Sequence, residues 1–310
     1  MKKVLVTGGD GLVGNALKEV CKEFKNLECI FVNRSTADLT NEQDVKKMFE
    51  LHKPNYVIHT AARVGGIGRN LNSPAQQFRD NILMNTHIIH NSYLNNVEKL
   101  LVFSSTCVFP KSASYITEEI MHDSPPFDAH LPYAYAKRMV DIQIDSYKKQ
   151  YGNLNYCSII PGNIFGEHDN FNLEDGHVIP SLLHKCYLSK RDKEKFVIWG
   201  DGSALREFLY AKDLALICLK LLNDVQQLPQ KLIISGEKEY SIKEIVEVIS
   251  SVSENYNVVW DTTKPNGQLK KQTDLSLFRT YFSEFVFSDI KESLKTTYEW
   301  LEQNYSNARK

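Results

Sequence analysis

The segment Val4-Leu5-Val6-Thr7-Gly8-Gly9-Asp10-Gly11-Leu12-Val13-Gly14 constrains this chain more than any other. A short apolar run ends in spaced glycines, and an amphipathic stretch from Leu12 to about Phe24 follows at once. Continuous apolarity marks a strand covered on both faces. Gly8, Gly11 and Gly14 let the backbone turn sharply and approach a bulky anion. The first turn of the following helix adds unpaired N–H groups and partial positive charge. A glycine turn alone is a weak signal. Here a strand precedes it, a helix follows, and a second strand, Cys29–Val32, comes at the right distance, which makes it a dinucleotide loop.

The same alternation continues. Residues 44–51 read as helix, 56–58 as a third strand, 74–95 as a long helix and 100–103 as a fourth strand; a helix around 134–150 leads to a fifth strand at 156–160. Buried strands separated by helices predict an α/β fold with a doubly wound parallel sheet, whose ligands sit beyond the carboxyl ends of the strands. After Pro161 the pattern becomes irregular until a helix near 290–303. Two domains are expected, 1–164 for the dinucleotide and 165–310 as a smaller α/β substrate domain, with a segment near 205–222 returning to pack on the first.

Composition narrows the classes. With 37 basic and 38 acidic residues and a net charge of -1, no nucleic-acid or membrane surface is indicated. The six cysteines lie apart with no C-x-x-C pair, so neither a metal site nor a disulfide framework is expected. No apolar run is long enough to span a bilayer, and the N-terminus breaks into glycines before any apolar leader forms. A cytoplasmic protein is expected.

Asn33-Arg34-Ser35 closes the second strand. An acidic residue there would bond a ribose 2′-hydroxyl; Arg34 suits a 2′-phosphate, so NADP is favoured over NAD, the alternative being a solvated arginine. Asp38 and Leu39 fall where the adenine would rest. Tyr133 and Lys137 are four apart on one helical face. An ammonium beside a phenol, with a cofactor's positive nicotinamide near, lowers the phenol's pKa from about 10 and prepares it for proton transfer. Ser105, just beyond the fourth strand, can hold the same carbonyl oxygen. Cys107 beside it is either core filler or a reactive thiol.

At these residues the chain resembles the extended short-chain dehydrogenase/reductases of Rossmann fold, and within them the GDP-L-fucose synthase family. The resemblance spans nearly the whole chain. Its most specific pieces are Ala61-Ala62-Arg63-Val64-Gly65-Gly66-Ile67, residues 105–111, residues 163–171, His177-Val178-Ile179-Pro180, Trp199-Gly200 and Arg206-Glu207-Phe208-Leu209. It implies that Tyr133 protonates the oxygen on sugar carbon 4, with Lys137 and Ser105 assisting, and that Cys107 and His177 are base and acid at carbons 3 and 5. A ketone at carbon 4 acidifies both neighbouring carbons, and a thiol titrating near about 8.5 with an imidazole near about 6.5 brackets neutral pH. The resemblance extends the NADP(H) site to Leu12, Val13, Ala61, Ala62, Pro161, Asn163, Ile164 and His177. It places the GDP-sugar on Lys185, Trp199, Arg206 and Asn266.

Four positions depart from the family's pattern: Lys185 where arginine is usual, Asn266 for aspartate, Thr106 for serine, and Asp10 for a basic residue, which should weaken phosphate binding slightly. The related 4,6-dehydratases carry an Asp-Glu pair after the Ser-Thr step, where this chain has Cys107-Val108. The expected enzyme is an NADPH-dependent carbon-4 reductase of a GDP-4-keto-6-deoxy sugar, hexose or heptose, with 3,5-epimerisation, acting as a homodimer in surface-polysaccharide synthesis. The alternatives are a reductase that follows a separate epimerase in GDP-6-deoxy-heptose synthesis, and a redox regulator that binds NADP without turnover. Such regulators typically lose the tyrosine, which this chain keeps.

Overall fold

The computed structural model describes residues 1–65, 73–152, 154–264 and 271–310. Along the chain the strands are β1 (Lys2–Thr7), β2 (Leu27–Val32), β3 (Tyr56–His59), β4 (Lys99–Phe103), β5 (Tyr115–Ile116), β6 (Tyr156–Pro161) and β7 (Asn163–Phe165). There follow β8 (Phe196–Trp199), β9 (Leu205–Tyr210), β10 (Lys231–Ile234), β11 (Glu239–Ser241), β12 (Val258–Asp261) and β13 (Gln272–Thr273). The helices are α1 (Leu12–Val20), α2 (Glu42–His52), α3 (Pro74–Leu94), α4 (Leu131–Tyr151) and α5 (Val178–Asp192). The remaining helices are α6 (Ala211–Asp224), α7 (Ile242–Ser253), α8 (Ser276–Tyr281) and α9 (Ile290–Asn304).

Six strands form one parallel sheet in the order β10-β6-β4-β3-β1-β2. Pleating sends alternate side chains to opposite faces. Val4 and Val6 of β1 therefore pack with α1, α6 and Phe278 of α8, while Leu5 packs with Phe49, Ile88 and Val140 from α2, α3 and α4. Burying one such side chain stabilises the fold by about 1.5–3 kcal/mol. That two-sided covering is why these strands carry no polar alternation. The strand order reverses at β1, with β2 on one side and β3 on the other, so a switch point opens above the carboxyl ends of β1 and β3.

The sixth strand was not anticipated. Residues 231–234 pair in parallel with β6, and Leu214, Leu219 and Leu222 of α6 share the core beneath the sheet. Four apolar residues give no periodicity to separate a buried strand from any other apolar run. A second core gathers Phe165, Phe171, Leu183, Phe196, Ile249 and Leu301 between α5, α7, α9 and the small sheets β11-β9-β7 and β12-β8. Glu207 joins the regions: its buried carboxylate accepts from Ser235 Oγ (3.0 Å), Thr273 N (3.1 Å) and Thr273 Oγ1 (2.5 Å). Those bonds hold β13, which pairs with β5, against the end of β9. Among the described residues, no helix is long and apolar enough to cross a membrane.

Candidate active site

The glycine loop lies at the switch point. Gly8 adopts φ +74°, and a Cβ there would come within 2.7 Å of Thr60 Oγ1 and 2.8 Å of Ala61 N. At Gly14 a Cβ would come within 2.3 Å of Gly8 O. These two glycines press the loop against the end of β3 and the helix against the loop, while Gly11 precedes α1 and leaves its first N–H groups facing outward. Leu12 and Val13 open α1, with Val13 buried in the core and Leu12 packed against it, and Ala61 and Ala62 follow β3. The expected cost of Asp10 to phosphate binding is offset locally, because its carboxylate pairs with Lys18 Nζ (2.9 Å) and accepts from Asn33 Nδ2 (2.5 Å). Both contacts hold it below the usual carboxylate range.

Beyond β2, Asn33 Oδ1 accepts from Ser35 N (3.0 Å) and Thr36 N (3.2 Å), a turn that leaves Arg34 exposed. Asp38 is engaged by Thr40, through N (3.0 Å) and Oγ1 (2.8 Å), and Leu39 is buried in the core with its carbonyl accepting from His87 Nδ1 (2.9 Å). Of this pair, only Asp38 keeps an accessible side chain.

The chemical groups stand on α4 and on the turn after β4. Ser105 Oγ accepts from Cys107 N (3.3 Å) and so caps the short helical turn 106–108 that presents Cys107. Arg138 clamps this segment to α4, donating to Val108 O and Ser124 O (both 2.6 Å). Tyr133, in the first turn of α4, is 8% exposed and stands within reach of Ser105 and Cys107. Burial and then the neighbouring Cys107 push its phenol up, and the Ser105 hydroxyl pulls the other way.

The expectation that Lys137 lowers the phenol is not met by the polypeptide itself. Lys137 is 1% exposed, donates to Phe103 O (2.7 Å), and is pushed down by burial to about 7. Spacing places the two residues on one face, but the lysine's first partner is a strand carbonyl, and low polarity leaves its charge only partly formed at neutral pH. Beneath it, Thr7 Oγ1 donates to His59 Nδ1 (2.7 Å), His59 Nε2 donates to Asn85 Oδ1 (3.2 Å), and Asn85 Nδ2 reaches Ala136 O (3.4 Å). This buried ladder ties the glycine-loop strand to the catalytic helix. Burial holds His59 neutral, down to about 3.

His177 precedes α5 and stands open to solvent at the cleft mouth, yet protein crowds around it; that crowding and Arg309 hold the imidazole below its ordinary range. Three further groups were not foreseen. Lys271, from beside β13, donates to Thr106 O (3.0 Å) and lies within electrostatic reach of Cys107 and Arg206. His130 lies within electrostatic reach of His177 and Lys271. Arg309 comes from the last turn of the chain. All three are distant in sequence from the groups they meet or stand in a loop without periodicity; only the i, i+3 spacing of His130 and Tyr133 was a usable signal.

Among the substrate candidates, Trp199 is 58% exposed at the end of β8, with Lys185 Nζ 4.7 Å and Lys264 Nζ 5.9 Å from its ring centroid. Arg206 is half-buried on β9, with Nη1 donating to Leu205 O (2.6 Å). Pro161 ends β6, and Asn163 and Ile164 open β7, where Asn163 Nδ2 donates to Glu207 O (2.8 Å). Asn266, and Gly66 and Ile67 of the Ala61–Ile67 piece, lie outside the described residues. Chemically, the site offers a phenol and a hydroxyl for one oxygen, a thiol and two imidazoles for carbon-bound protons, and cations around an aromatic face for an anionic, planar group.

A doubly wound sheet with a glycine loop at its switch point and a Ser–Tyr–Lys set at its carboxyl edge defines a dinucleotide-binding enzyme of the reductase–epimerase type. The chain belongs to the NAD dependent epimerase/dehydratase family, whose model matches residues 4–235, and within it to the GDP-L-fucose synthase family. It is 38% identical to a GDP-L-fucose synthase of Dictyostelium discoideum over 314 residues, covering 100% of this chain and 98% of that one. It superposes on a Naegleria fowleri GDP-L-fucose synthetase bound to NADP with TM-score 0.94 and 36% identity, over 100% of this chain and 95% of that one. A GDP-6-OMe-4-keto-L-xylo-heptose reductase from C. jejuni matches at TM-score 0.86 and 26% identity, over 98% of both chains.

Proposed function

We propose that this protein is an NADP(H)-dependent enzyme that epimerises carbons 3 and 5 of a GDP-4-keto-6-deoxy sugar of manno type and reduces carbon 4. The observation that carries this reading is the short turn 105–108, which sets the Ser105 hydroxyl, within reach of Tyr133, two residues from Cys107 at the sheet's carboxyl edge. NADPH supplies hydride to carbon 4 when bound; Gly8, Gly11 and Gly14 hold its diphosphate, Arg34 its 2′-phosphate, and Lys137 its ribose. Cys107 takes the proton from a carbon flanking the ketone, and His177 returns one from the opposite side. Ser105 then fixes the ketone oxygen, Tyr133 gives it a proton as hydride arrives, and the ammonium of Lys137 is stabilised by the negative charge passing to the phenol. Trp199, Lys185 and Arg206 hold the nucleotide and its diphosphate.

Higher identity to the fucose synthases than to the heptose reductase favours a hexose. Residues 1–164 serve as the cofactor domain and 165–310 as the substrate domain, with α6 packing back. Exposed Phe78 on α3 and Tyr135, Met139 and Ile142 on α4 support a homodimer through these helices. A cytoplasmic place in surface-polysaccharide synthesis completes the reading.

Incubation of GDP-4-keto-6-deoxymannose with NADPH in deuterated water tests it. The expected product carries solvent deuterium at carbons 3 and 5 and hydride from NADPH at carbon 4. Reduction without deuterium at those carbons leaves a reductase alone.

A further inference from the structure

An acid serves epimerisation only if its ring is held at one place over the sugar. The side chain of His177 caps no helical N–H, so capping of α5 does not fix it. The loop from Phe171 to Gly176 fixes the backbone beneath it. Asn172 Oδ1 accepts from Glu174 N and Asp175 N (both 2.8 Å). Asn172 O accepts from Gly176 N (2.9 Å) and from Ser181 Oγ (3.3 Å). A Cβ on Gly176 would come within 2.3 Å of Asn172 O, so only glycine lets the loop close this tightly. The loop is therefore stiff within itself, and its place depends on the residue it springs from, Phe171.

Phe171 is gripped from two elements. Its ring is fully buried and stacks on Trp300 of α9, with centroids 6.0 Å apart and 20° between the planes. Its N–H donates to Arg309 O (2.7 Å), and its carbonyl accepts from Nδ1 of His184 on α5 (2.6 Å). A carbonyl only accepts, so Nδ1 carries the ring hydrogen. Nε2 is then an acceptor, and it takes the hydroxyl of Tyr305 (3.1 Å). His184 is buried, and burial holds its imidazole below the ordinary range, in keeping with this neutral tautomer. Tyr305 in turn stacks on Tyr187 of α5, with centroids 4.3 Å apart. One imidazole, with a donor at one end and an acceptor at the other, thus ties the root of the His177 loop to α5 and to the segment after α9.

We propose that His184 is a positioning residue for the epimerisation acid: by bridging Phe171 O and Tyr305 Oη, it holds the loop that carries His177 in register with carbons 3 and 5 of the sugar. It acts through the loop backbone and makes no contact with the reacting atoms. Carbon-4 reduction is served by Ser105, Tyr133 and Lys137, which stand on α4 and on the turn after β4. Loss of the bridge therefore slows epimerisation and spares reduction.

This inference rests on the epimerase reading, and the test separates the two. Native enzyme, His184→Leu, His184→Gln and Tyr305→Phe are compared in two assays. The first follows solvent deuterium entering carbons 3 and 5 of GDP-4-keto-6-deoxymannose in deuterated water with NADP, which cannot reduce it. The second follows carbon-4 reduction of a pre-epimerised substrate by NADPH. Leucine fills the space without a polar atom, whereas glutamine again offers one donor and one acceptor. His184→Leu is expected to slow deuterium entry by roughly tenfold to a hundredfold, the cost of displacing a reacting group by about 1 Å, with reduction within about twofold. His184→Gln restores most of the exchange rate. Tyr305→Phe removes one hydroxyl from a half-buried residue and gives a smaller loss in exchange alone. Native exchange in His184→Leu, or in Tyr305→Phe where the leucine variant does not fold, overturns the positioning role and leaves the epimerase reading standing. Equal loss of exchange and reduction overturns it too, since His184 would then hold the fold as a whole. Native enzyme that admits no deuterium at either carbon overturns both.

Discussion

The two walls of the cleft are built on different terms. On the sheet side, Tyr133 and Lys137 are buried, Ser105 is bonded to its neighbours, and Arg138 and the His59 ladder hold the supporting backbone. On the candidate substrate side, Trp199 is largely exposed, and Lys185 and Lys264 meet it as cations over the ring. Proton and hydride transfer require atoms fixed within fractions of an ångström, so the sheet side spends stability on rigidity. Recognition of a nucleotide tolerates a side chain that settles as the ligand arrives. Changes on the first wall should therefore appear in kcat and changes on the second in KM.

The largest effect should come from Tyr133→Phe. Removing one hydroxyl leaves the buried ring in place, and steady-state NADPH oxidation should fall by about 10²–10⁴ in kcat with NADPH binding retained. A loss expressed only in KM would break the division between the walls. Cys107→Ser comes next. Deuterium incorporation at carbons 3 and 5 should drop by roughly a hundredfold while carbon-4 reduction of a pre-epimerised substrate persists. Equal loss of both activities would mean that the turn 106–108 shapes the ketone site as a whole.

Rigidity on the sheet side has a pH signature. Burial holds the folded His59 imidazole down to about 3, against about 6.5 for a free imidazole, so between these values the unfolded chain binds a proton the native state refuses. Stability is unaffected above the unfolded value and falls as pH drops toward about 3, by at most on the order of 5 kcal/mol. Urea unfolding across this window should show that slope, and His59→Gln should flatten it. A parallel slope in the variant would assign the acid sensitivity elsewhere.

Smaller effects belong to the exposed wall. Trp199→Ala should raise KM for the GDP-sugar about tenfold, the worth of a partly desolvated cation–π face, with kcat little changed. Arg34→Ala, at the cofactor end, should raise KM for NADPH several-fold, by roughly 1 kcal/mol, and leave NADH unaffected. Equal penalties for both cofactors would remove the 2′-phosphate role.

Much of the sheet wall was legible in the sequence because it is local. Gly8, Gly11 and Gly14 sit in one turn, Tyr133 and Lys137 one helical turn apart, and Ser105 and Cys107 on one loop after a strand. Their spacing is their geometry. The exposed wall was legible only through resemblance, since Lys185, Trp199 and Arg206 lie on three elements with no fixed spacing. Lys271, His130 and Arg309 escaped, and so did β10, because nothing near them in the chain announces their partners.

By itself, then, the sequence determined the strand–loop–helix that accepts a dinucleotide and the identity of the groups at the carboxyl edge. Those follow from short-range sterics and periodicity. Only the tertiary structure decided their protonation and company. The same Lys137 that spacing sets beside Tyr133 is turned by burial toward a strand carbonyl, and the same Asp10 that looked repulsive is matched by Lys18 and Asn33. Charge and proton affinity depend on what surrounds a group in three dimensions, and that surrounding is assembled from segments far apart in the chain.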